Sequence, residues 1–481
     1  MQTYQDLTFV PQNDNNIIEF VMKCINEYKT SEMYKTAVVA DQYFKKRNTT
    51  IVNYEKLITT ITGEKVPDKW SANHKVVSGF FKRFVTQQVQ FLLGNGVTWD
   101  GKGDYFGKKF DNRLQKLAKE SLIGGIAYGF WNLDKLQVFS AREFLPLWDE
   151  ETGALRAGIR WWQISPEKPL RATLYEEDGY TEFIWKKRVS EEKTITEGQI
   201  HNPKRGYVTV QKSSEVDGTE IVDYTNYAGF PVIPLWGNPE HQSELVGIRD
   251  GIDEYDIIKN GYGNDLDNAQ LYWIIKGAGG MDDTDLVRFL ERLKLTHAAA
   301  PADGQEVEAK TIEIPYEARE KLLDRIERDL YRDYMALNTE DLSSRNATAT
   351  EIKAAYEPMN GKADDFEYQI LDFLEALMEI AGVDDTPTFT RSYIVNTQEE
   401  VQTVVSAASY LSEDYVTEKI LTVLGDGDKA EEMLKEMSAD EIDRLAEDNQ
   451  PEEEEEMTDG EEDRSGTRGN GTGPQGSRTE N

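Results

Sequence analysis

Residues 246–275 read VGIRDGIDEYDIIKNGYGNDLDNAQLYWII, and the reading of the whole chain turns on how this stretch repeats. Ile248, Ile252, Tyr255, Ile258, Tyr262, Leu266, Ala269 and Trp273 recur every three or four residues, which places them along one side of an α-helix. Arg249, Asp253, Asp256, Asn260, Asn264 and Asp267 form a polar stripe with the same spacing. Thirty residues of helix would reach about 45 Å, longer than a compact domain needs. Gly261 and Gly263 each weaken such a helix by roughly 1 kcal/mol relative to Ala, which makes sense where a neighbouring backbone comes close.

Downstream, a second helix is predicted over 316–337, after Pro315. Leu322, Leu323, Ile326, Leu330 and Tyr334 lie on one side of it, with Glu317–Lys321 and Asp324–Arg328 as favourably oriented pairs. Between the two helices, 276–315 reads as a small α/β insert. It holds a short helix around Leu286, Phe289, Leu290 and Leu293, and a β-prone run from Ala309 to Pro315. Asn338 to Ala347, rich in Ser, Asn and Thr, reads as a loop. Thr348-Ala-Thr-Glu351 is then a capping box opening a third long helix to Ala381, within 348–382, and Pro358 must kink it by deleting one backbone bond. A strand is expected over Thr388–Ile394, within 383–397. Small capped helices follow over 398–446, starting near Asn396, Ser412 and Ser438. Over 447–481 the composition turns acidic at Glu452–Glu456 and then Gly/Ser/Thr-rich, which predicts disorder.

Upstream, the chain to about Asp100 reads helical. Asp14-Asn15-Asn16 is a candidate cap for Ile17–Ile25, and Phe80–Leu93 is an amphipathic run stopped by Gly94-Asn-Gly96. From Asp100 to Pro234, after a helix near Leu114–Ile123, short β-branched and aromatic runs predict an antiparallel β-rich domain. These runs are Gly129–Phe139, Gly158–Gln163, Ala172–Tyr175, Thr181–Trp185 and Tyr207–Val210, and Glu177-Asp-Gly179 is a turn between two of them. The fold class is α+β.

With 481 residues, 38% hydrophobic, nine Trp and 23 Tyr, the chain has material for a sizeable core in two or three domains. A formal net charge of −35 argues against a static clamp on DNA, which needs Lys and Arg to neutralise phosphates. Cys24, the single cysteine, excludes an internal disulfide and a multi-cysteine zinc site, and reads as a small apolar helix residue. No signal peptide or membrane span is expected, since Met1–Val10 lacks the basic-then-apolar pattern and no window approaches 18 apolar residues.

No constellation for catalysis stands out. Ser165-Pro-Glu-Lys168 fits Ser-x-x-Lys without its partner motifs and reads as a turn. His74, His201, His241 and His297 are scattered, Gly94-Asn-Gly96 lacks the dinucleotide context, and there is no Walker A sequence. The cluster Asp282-Asp-Thr-Asp285 is the one enzymatic candidate, a two-metal nuclease site. Its plainer reading is the acidic start of a helix. The sequence predicts no catalytic, cofactor-binding or metal-binding residue and no cofactor.

Phe91-Leu-Leu-Gly94, Ile126-Ala-Tyr-Gly129, Glu143-Phe-Leu-Pro-Leu-Trp-Asp149 and Gly229-Phe-Pro-Val-Ile-Pro-Leu-Trp-Gly-Asn238 come in order ahead of the first long helix. Ile252-Asp-Glu-Tyr255 and Asn264-Asp265 lie on that helix, and Thr388-Phe-Thr-Arg391 follows the third. In order and spacing, over about residues 15–445, this resembles the portal proteins of tailed phages that infect Gram-positive bacteria. The resemblance implies a portal fold in a cyclic dodecameric ring. Its parts would be a wing (1–245, with the strand in 383–397), stem helices (246–275 and 316–337), a clip (276–315), a tunnel loop (338–347), a long kinked helix (348–382) and a crown (398–446).

The implied DNA-channel residues are Thr339, Glu340, Asp341, Leu342, Ser343, Ser344, Arg345 and Asn346, with the helix kink at Pro358. Stem packing would rest on Ile252, Tyr255, Tyr262, Leu266, Ile326 and Leu330. The implied partners are further copies of the chain, double-stranded DNA in the channel, a terminase large subunit, a head-completion or adaptor protein, and the major capsid and scaffolding proteins. No membrane is involved. The implied location is the portal vertex of the virion, with assembly in the host cytoplasm. Long paired helices around a small insert, with stripes wider than one chain's core requires, independently suit lateral packing in a ring. Gly263 stands where a small residue such as Ala is expected, so a bend is expected there. The other readings are a different acidic phage structural protein, an adaptor or scaffold, and a metal-dependent nuclease.

Overall fold

The computed structural model describes residues 2–11, 13–59, 63–68, 71–101, 103–133, 135–190, 193–216, 219–268, 272–276, 306–310, 316–340, 349–393 and 404–424, with a few isolated positions besides. They fall into two units, 1–394 and 395–481.

The first unit opens with helices α1 (Tyr4–Thr8), α2 (Asp14–Thr30), α3 (Glu32–Phe44) and α4 (Thr49–Val52). The cap of α2 is Asn13, whose side chain accepts from Asn15 N at 3.0 Å. Asp14, expected among the capping residues, sits instead in the first turn, where its charge suits the helix dipole. Ser31 ends α2 and caps α3. The region to Asp100 is not wholly helical as expected. Leu57–Thr59 (β1) and Lys65–Pro67 (β2) make an antiparallel hairpin, with strands too short to show a period in the sequence. Helix α5 (Phe80–Leu93) follows the predicted apolar run. Gly96, at φ 78°, turns the chain into β3 (Val97–Trp99).

Helix α6 (Phe110–Gly124) ends at Gly125, φ 84°, where a Cβ would lie 2.9 Å from the Gln242 carbonyl carbon, so only glycine fits. The β-rich region holds β4 (Ile126–Trp131), β5 (Leu136–Ser140), β6 (Phe144–Trp148), β7 (Leu155–Trp162), β8 (Leu170–Glu176), β9 (Gly179–Ser190), β10 (Lys193–Arg205), β11 (Val208–Val216), β12 (Thr219–Thr225) and β13 (Val232–Trp236). Every described pairing is antiparallel, as expected: a sheet in order β10-β9-β8-β7-β6, a sheet β13-β4-β5, and a ribbon β11-β12. Strands β6, β10, β12 and β13 were not among the expected runs, β10 and β12 being the most polar of them. The largely polar sequences of these two take their register from β9 and β11, and Ile200 of β10 packs against the second core cluster.

The decisive stretch forms α7 (Arg249–Asn268), shorter than the predicted 246–275 helix. Tyr272–Lys276 is instead β14, paired with β15 (Glu306–Lys310), so Trp273 faces Ala309 across a ladder. A short apolar run of Tyr, Trp and Ile fits either period, and here strand pairing decides it. The expected β-run of the insert therefore starts earlier, at Glu306, and 311–315 lies outside the described residues. So do Leu286, Phe289, Leu290 and Leu293. Helix α8 (Tyr316–Tyr334) starts where predicted and ends three residues short of 337, and α9 (Ala349–Ala381) runs 33 residues with Pro358 inside, ending at Gly382, φ 69°. Thr348, the expected cap, lies outside the described residues. The following strand, β16, is limited to Pro387–Phe389 and pairs with β3.

The largest core cluster gathers side chains of α5, α6, α7, α8 and α9, with Phe81, Phe84, Leu92, Leu117, Phe373 and Leu374 at its centre. Full burial of each is worth roughly 1.5–3 kcal/mol. A second cluster packs α2 on the five-stranded sheet, where Cys24 is buried and its thiol is pushed up to about 12. In the second unit, α10 (Glu413–Leu424) starts on Ser412, the predicted cap, whose hydroxyl accepts from Tyr415 N at 3.4 Å. The other two expected starts, Asn396 and Ser438, and the acidic tail lie outside the described residues.

Candidate functional site

The helix pair α7 and α8 anticipated from the opening stretch is present, and its two faces do different work. On the apolar face Ile252, Ile326 and Leu330 are buried in the main core, while Tyr255 packs edge-on against Phe80 at 4.9 Å. Gly251 brings the helices close: a Cβ there would stand 2.9 Å from Leu330 Cδ2. Tyr262 is half-buried beneath the Arg319 guanidinium, which also pairs with Asp265 at 2.6 Å. Leu266 is 50% exposed. Of the six residues assigned to stem packing, then, three belong to the core of their own chain, and the exposure grows toward the end of α7 nearest β14.

The polar stripe of α7 is not the solvated face that its composition suggests. Asp256, Asn260 and Asn264 are buried and hold the extended segment 73–78 by its backbone. Asn264 Oδ1 accepts from His74 N at 2.7 Å and Asn260 Oδ1 from Val76 N at 2.6 Å. Asn260 Nδ2 donates to Val76 O at 2.8 Å, and Asp256 Oδ1 accepts from Ser78 N at 2.9 Å. The ladder works because two residues of extended chain advance about 6.6 Å and four residues of helix about 6 Å, so alternate strap residues meet every fourth helical one.

Flanking rungs complete it. Asn48 donates to Asp256 Oδ2 at 2.5 Å, Tyr43 and Thr50 donate to Asp253, and His74 Nε2 lies 2.6 Å from Asp267. Burial raises the Asp256 carboxyl, against the hydrogen bonds from Asn48 and Ser78 that favour its charge. Gly263 lies 3.4 Å, at a virtual Cβ, from the His74 ring, while Gly261 meets nothing of its own chain within 4 Å.

At the far end of α8 the chain is fixed by three more devices. Gln87 on α5 donates to Leu337 O at 3.0 Å and accepts from Leu337 N at 3.2 Å. Tyr334, fully buried, donates to Gln88 at 2.8 Å. Lys362 on α9 reaches Glu244 at 2.5 Å and Tyr334 O at 3.1 Å. Its ammonium is lowered by burial, against the pull of Glu244. Leu337 then joins Phe91, Tyr356, Met359 and Ala363 in a small apolar cluster of its own. Across α9, Arg391 bonds Asp364, Glu367 and Asn360, tying the segment after β16 to the helix.

The predicted channel residues divide. Thr339 and Glu340 are helical, with Glu340 N donating to Asn338 Oδ1 at 3.1 Å, so the loop opens with a helical turn. Asp341, Leu342, Ser343, Ser344, Arg345 and Asn346 lie outside the described residues. Pro358 is exposed on α9 between the buried Tyr356 and Met359.

The weak catalytic candidates resolve into structural features. Asp282 accepts from Asp285 N at 2.8 Å, as a residue capping a helix start does. Lys168 N donates to Ser165 O, a turn. His241 stacks on Trp236 at 3.8 Å. Among the described residues no group of acidic, His or Cys side chains could hold a metal ion, and no helix is long and apolar enough to cross a membrane.

Sequence reasoning did not identify Asn48, Gln87, Glu244 or Lys362, each of which acts on a partner distant in the chain. Asn260 and Asn264 carried a signal, since uncharged amides four residues apart are an unusual choice for a solvated helix face.

The sequence family described as phage portal protein, SPP1 Gp6-like, matches residues 23–443. The portal protein of Bacillus phage SPP1 is 24% identical over 380 residues, covering 72% of each chain. That of Clostridium phage phiCD119 is 22% identical over 366 residues, covering 69% of this chain and 77% of its own. Among solved structures, a chain of the native gene transfer agent virion superposes with a TM-score of 0.37 at 12% identity, over 72% of this chain and 89% of that one. A HK97 family portal protein from Corynebacterium diphtheriae gives 0.31 at 12%, over 64% and 91%. The match to the family model spans most of the sequence, and the chain belongs to the SPP1 Gp6-like family of phage portal proteins.

Proposed function

We propose that this portal-family chain, a structural component of the phage virion and not an enzyme, works as a ring of twelve copies around a central DNA channel. In this reading 1–245 and 383–397 are the wing, 246–275 and 316–337 the stem, and 276–315 the clip. Residues 338–347 are the tunnel loop, 348–382 the kinked helix bending at Pro358, and 398–446 the crown. The clip would dock the terminase large subunit during packaging and a head-completion or adaptor protein afterwards. Capsid and scaffolding proteins would meet the ring at one vertex, and assembly would take place in the host cytoplasm.

The observation that carries the reading is the rooting of 338–347. Leu337 before it and Ile352, Ala355 and Tyr356 after it share one apolar cluster, and Gln87 clamps Leu337 from α5. A segment whose two ends are fixed at one place can present its middle without the fold depending on that middle. That is what a channel constriction requires. The exposed Leu266 and the half-buried Tyr262 at the far end of α7 support lateral packing between stems.

The test is particle imaging of the purified chain. Closed rings of twelve copies viewed down the axis are the expected result. Sedimentation showing only monomer or dimer across a wide range of concentration and salt would overturn it.

A further inference from the structure

Against a net charge of −35, one surface of the chain is basic. Lys46, Arg47, Lys75 and Lys82 are all exposed. Their positions are tied together: Lys46 lies across Gly79, with Nζ 3.1 Å from where a Cβ would be, and Lys82 follows on the first turn of α5. Asn48, next to Arg47, bonds Ser78 at 3.5 Å, and Lys75 Nζ bonds Val52 O at 2.7 Å. Among the described residues none of these four cations has a carboxylate partner.

The complementary surface is the outer line of α9. Asp365, Tyr368, Asp372, Glu375 and Glu379 follow at steps of three and four, so they form one stripe about 20 Å long. Tyr368 is 66% exposed, and the four acids are exposed as well. The neighbouring Asp364 and Glu367 share the Arg391 guanidinium, but the four acids of the stripe have no cationic partner among the described residues. Like charges along one helix face destabilise it unless something opposite covers them.

From these two unpaired surfaces we infer that the acidic stripe of α9 on one copy docks on the basic patch around Lys46 and Lys82 of the next. This rests on the ring reading and names the surfaces that close it. Two different, oppositely charged patches on one chain join head to tail, and repetition of that contact closes a ring when the rotation allows. Tyr368 supplies the apolar anchor within the charged stripe. Duplex DNA is the other polyanion that a basic patch could take. The second-copy assignment is favoured because the chain itself carries a matching acidic line left uncovered.

The experiment uses three full-length variants: Lys46→Glu/Arg47→Glu/Lys82→Glu, then Asp372→Lys/Glu375→Lys/Glu379→Lys, and both sets combined. The readout is sedimentation velocity at low and high salt. Each reversed set alone is expected to raise the concentration needed for assembly at least tenfold, because it sets like charges against each other. An equimolar mixture of the two reversed chains, and the combined chain, are expected to assemble again. That restoration also shows that the variants are folded.

Wild-type assembly by either single set, or no restoration in the mixture, overturns the inference while leaving the ring intact. Reversal of the basic patch that abolishes retention of duplex DNA and leaves assembly unchanged assigns the patch to nucleic acid instead. A wild-type chain that stays monomeric sinks the ring reading itself, and this contact with it.

Discussion

Lys362 Nζ sits 2.5 Å from Glu244 Oε2 and 3.5 Å from the centre of the Tyr334 ring, with both charged side chains at most 17% exposed. This one contact joins the loop after β13, the end of α8 and the middle of α9, with Glu244 and Lys362 separated by 118 positions in sequence. Asn238 also donates to Glu244 at 2.9 Å, which satisfies part of the remaining carboxylate. A cavity of about 210 Å³ lies beside the pair, bounded by Gln88, Met335, Asp365 and Phe366.

Breaking the pair from one side should therefore cost far more than removing it. Lys362→Met leaves the Glu244 carboxylate buried without its cation, a loss of about 3–5 kcal/mol. Lys362→Met combined with Glu244→Gln should recover most of that loss, since no buried charge is left uncompensated. Urea denaturation of the two variants checks this. A single variant as stable as wild type, or a double variant no better than the single, would contradict it.

Asp256 predicts an unusual pH response. Burial raises its carboxyl above 3.8 in the fold, so the native state holds a proton more tightly than the unfolded chain. The ionised group then costs stability above its raised value, and that cost disappears as the pH falls below the unfolded value. Asp256→Asn keeps an acceptor for Ser78 N and needs only a flip of the Asn48 amide. Plotted against pH, wild-type stability minus that of Asp256→Asn should rise from pH 7 toward pH 4, the reverse of an ordinary salt-bridged carboxylate. A flat or falling difference would refute the assignment.

How much of this was visible beforehand depends on where each partner lies. The apolar side of α7 was legible because Ile252, Tyr255 and Ile258 repeat within the helix itself. The role of the polar side was not legible, because Asp256, Asn260 and Asn264 serve a segment some 180 residues earlier, and that segment has no regular period of its own. Trp273 continued the helical spacing by coincidence, and only the ladder to Ala309 reveals a strand. Gln87 and Lys362 look like ordinary surface residues of amphipathic helices, since nothing local records that Leu337 and Glu244 come to meet them.

Gln87 offers a local test of how the segment 338–347 is rooted. Gln87→Ala removes both bonds to the buried Leu337 backbone, which should cost about 1–3 kcal/mol by leaving a donor and an acceptor without partners. Amide exchange should quicken at Leu337 while α5 and the centre of α9 keep their protection. Unchanged exchange at Leu337 would show that the Tyr334 and Lys362 contacts fix this point without Gln87.

The segment 338–347 itself should matter for movement of DNA and little for folding. Its residues from Thr339 to Asn346 are small or polar around the single apolar Leu342, and Arg345 is its only cation. The fold around it is secured without them, by Gln87, by the Leu337–Tyr356 cluster and by Lys362. Leu342→Ala with Arg345→Ala should therefore cost under about 1 kcal/mol, as at surface positions without special features. Rings should form as in wild type, while a motor-driven packaging assay should show slowed or stalled DNA entry. Packaging at the wild-type rate would remove this segment from the constriction. Loss of rings with the chain still folded would place it at a contact between subunits, where Leu342 buries apolar surface against the neighbouring copy.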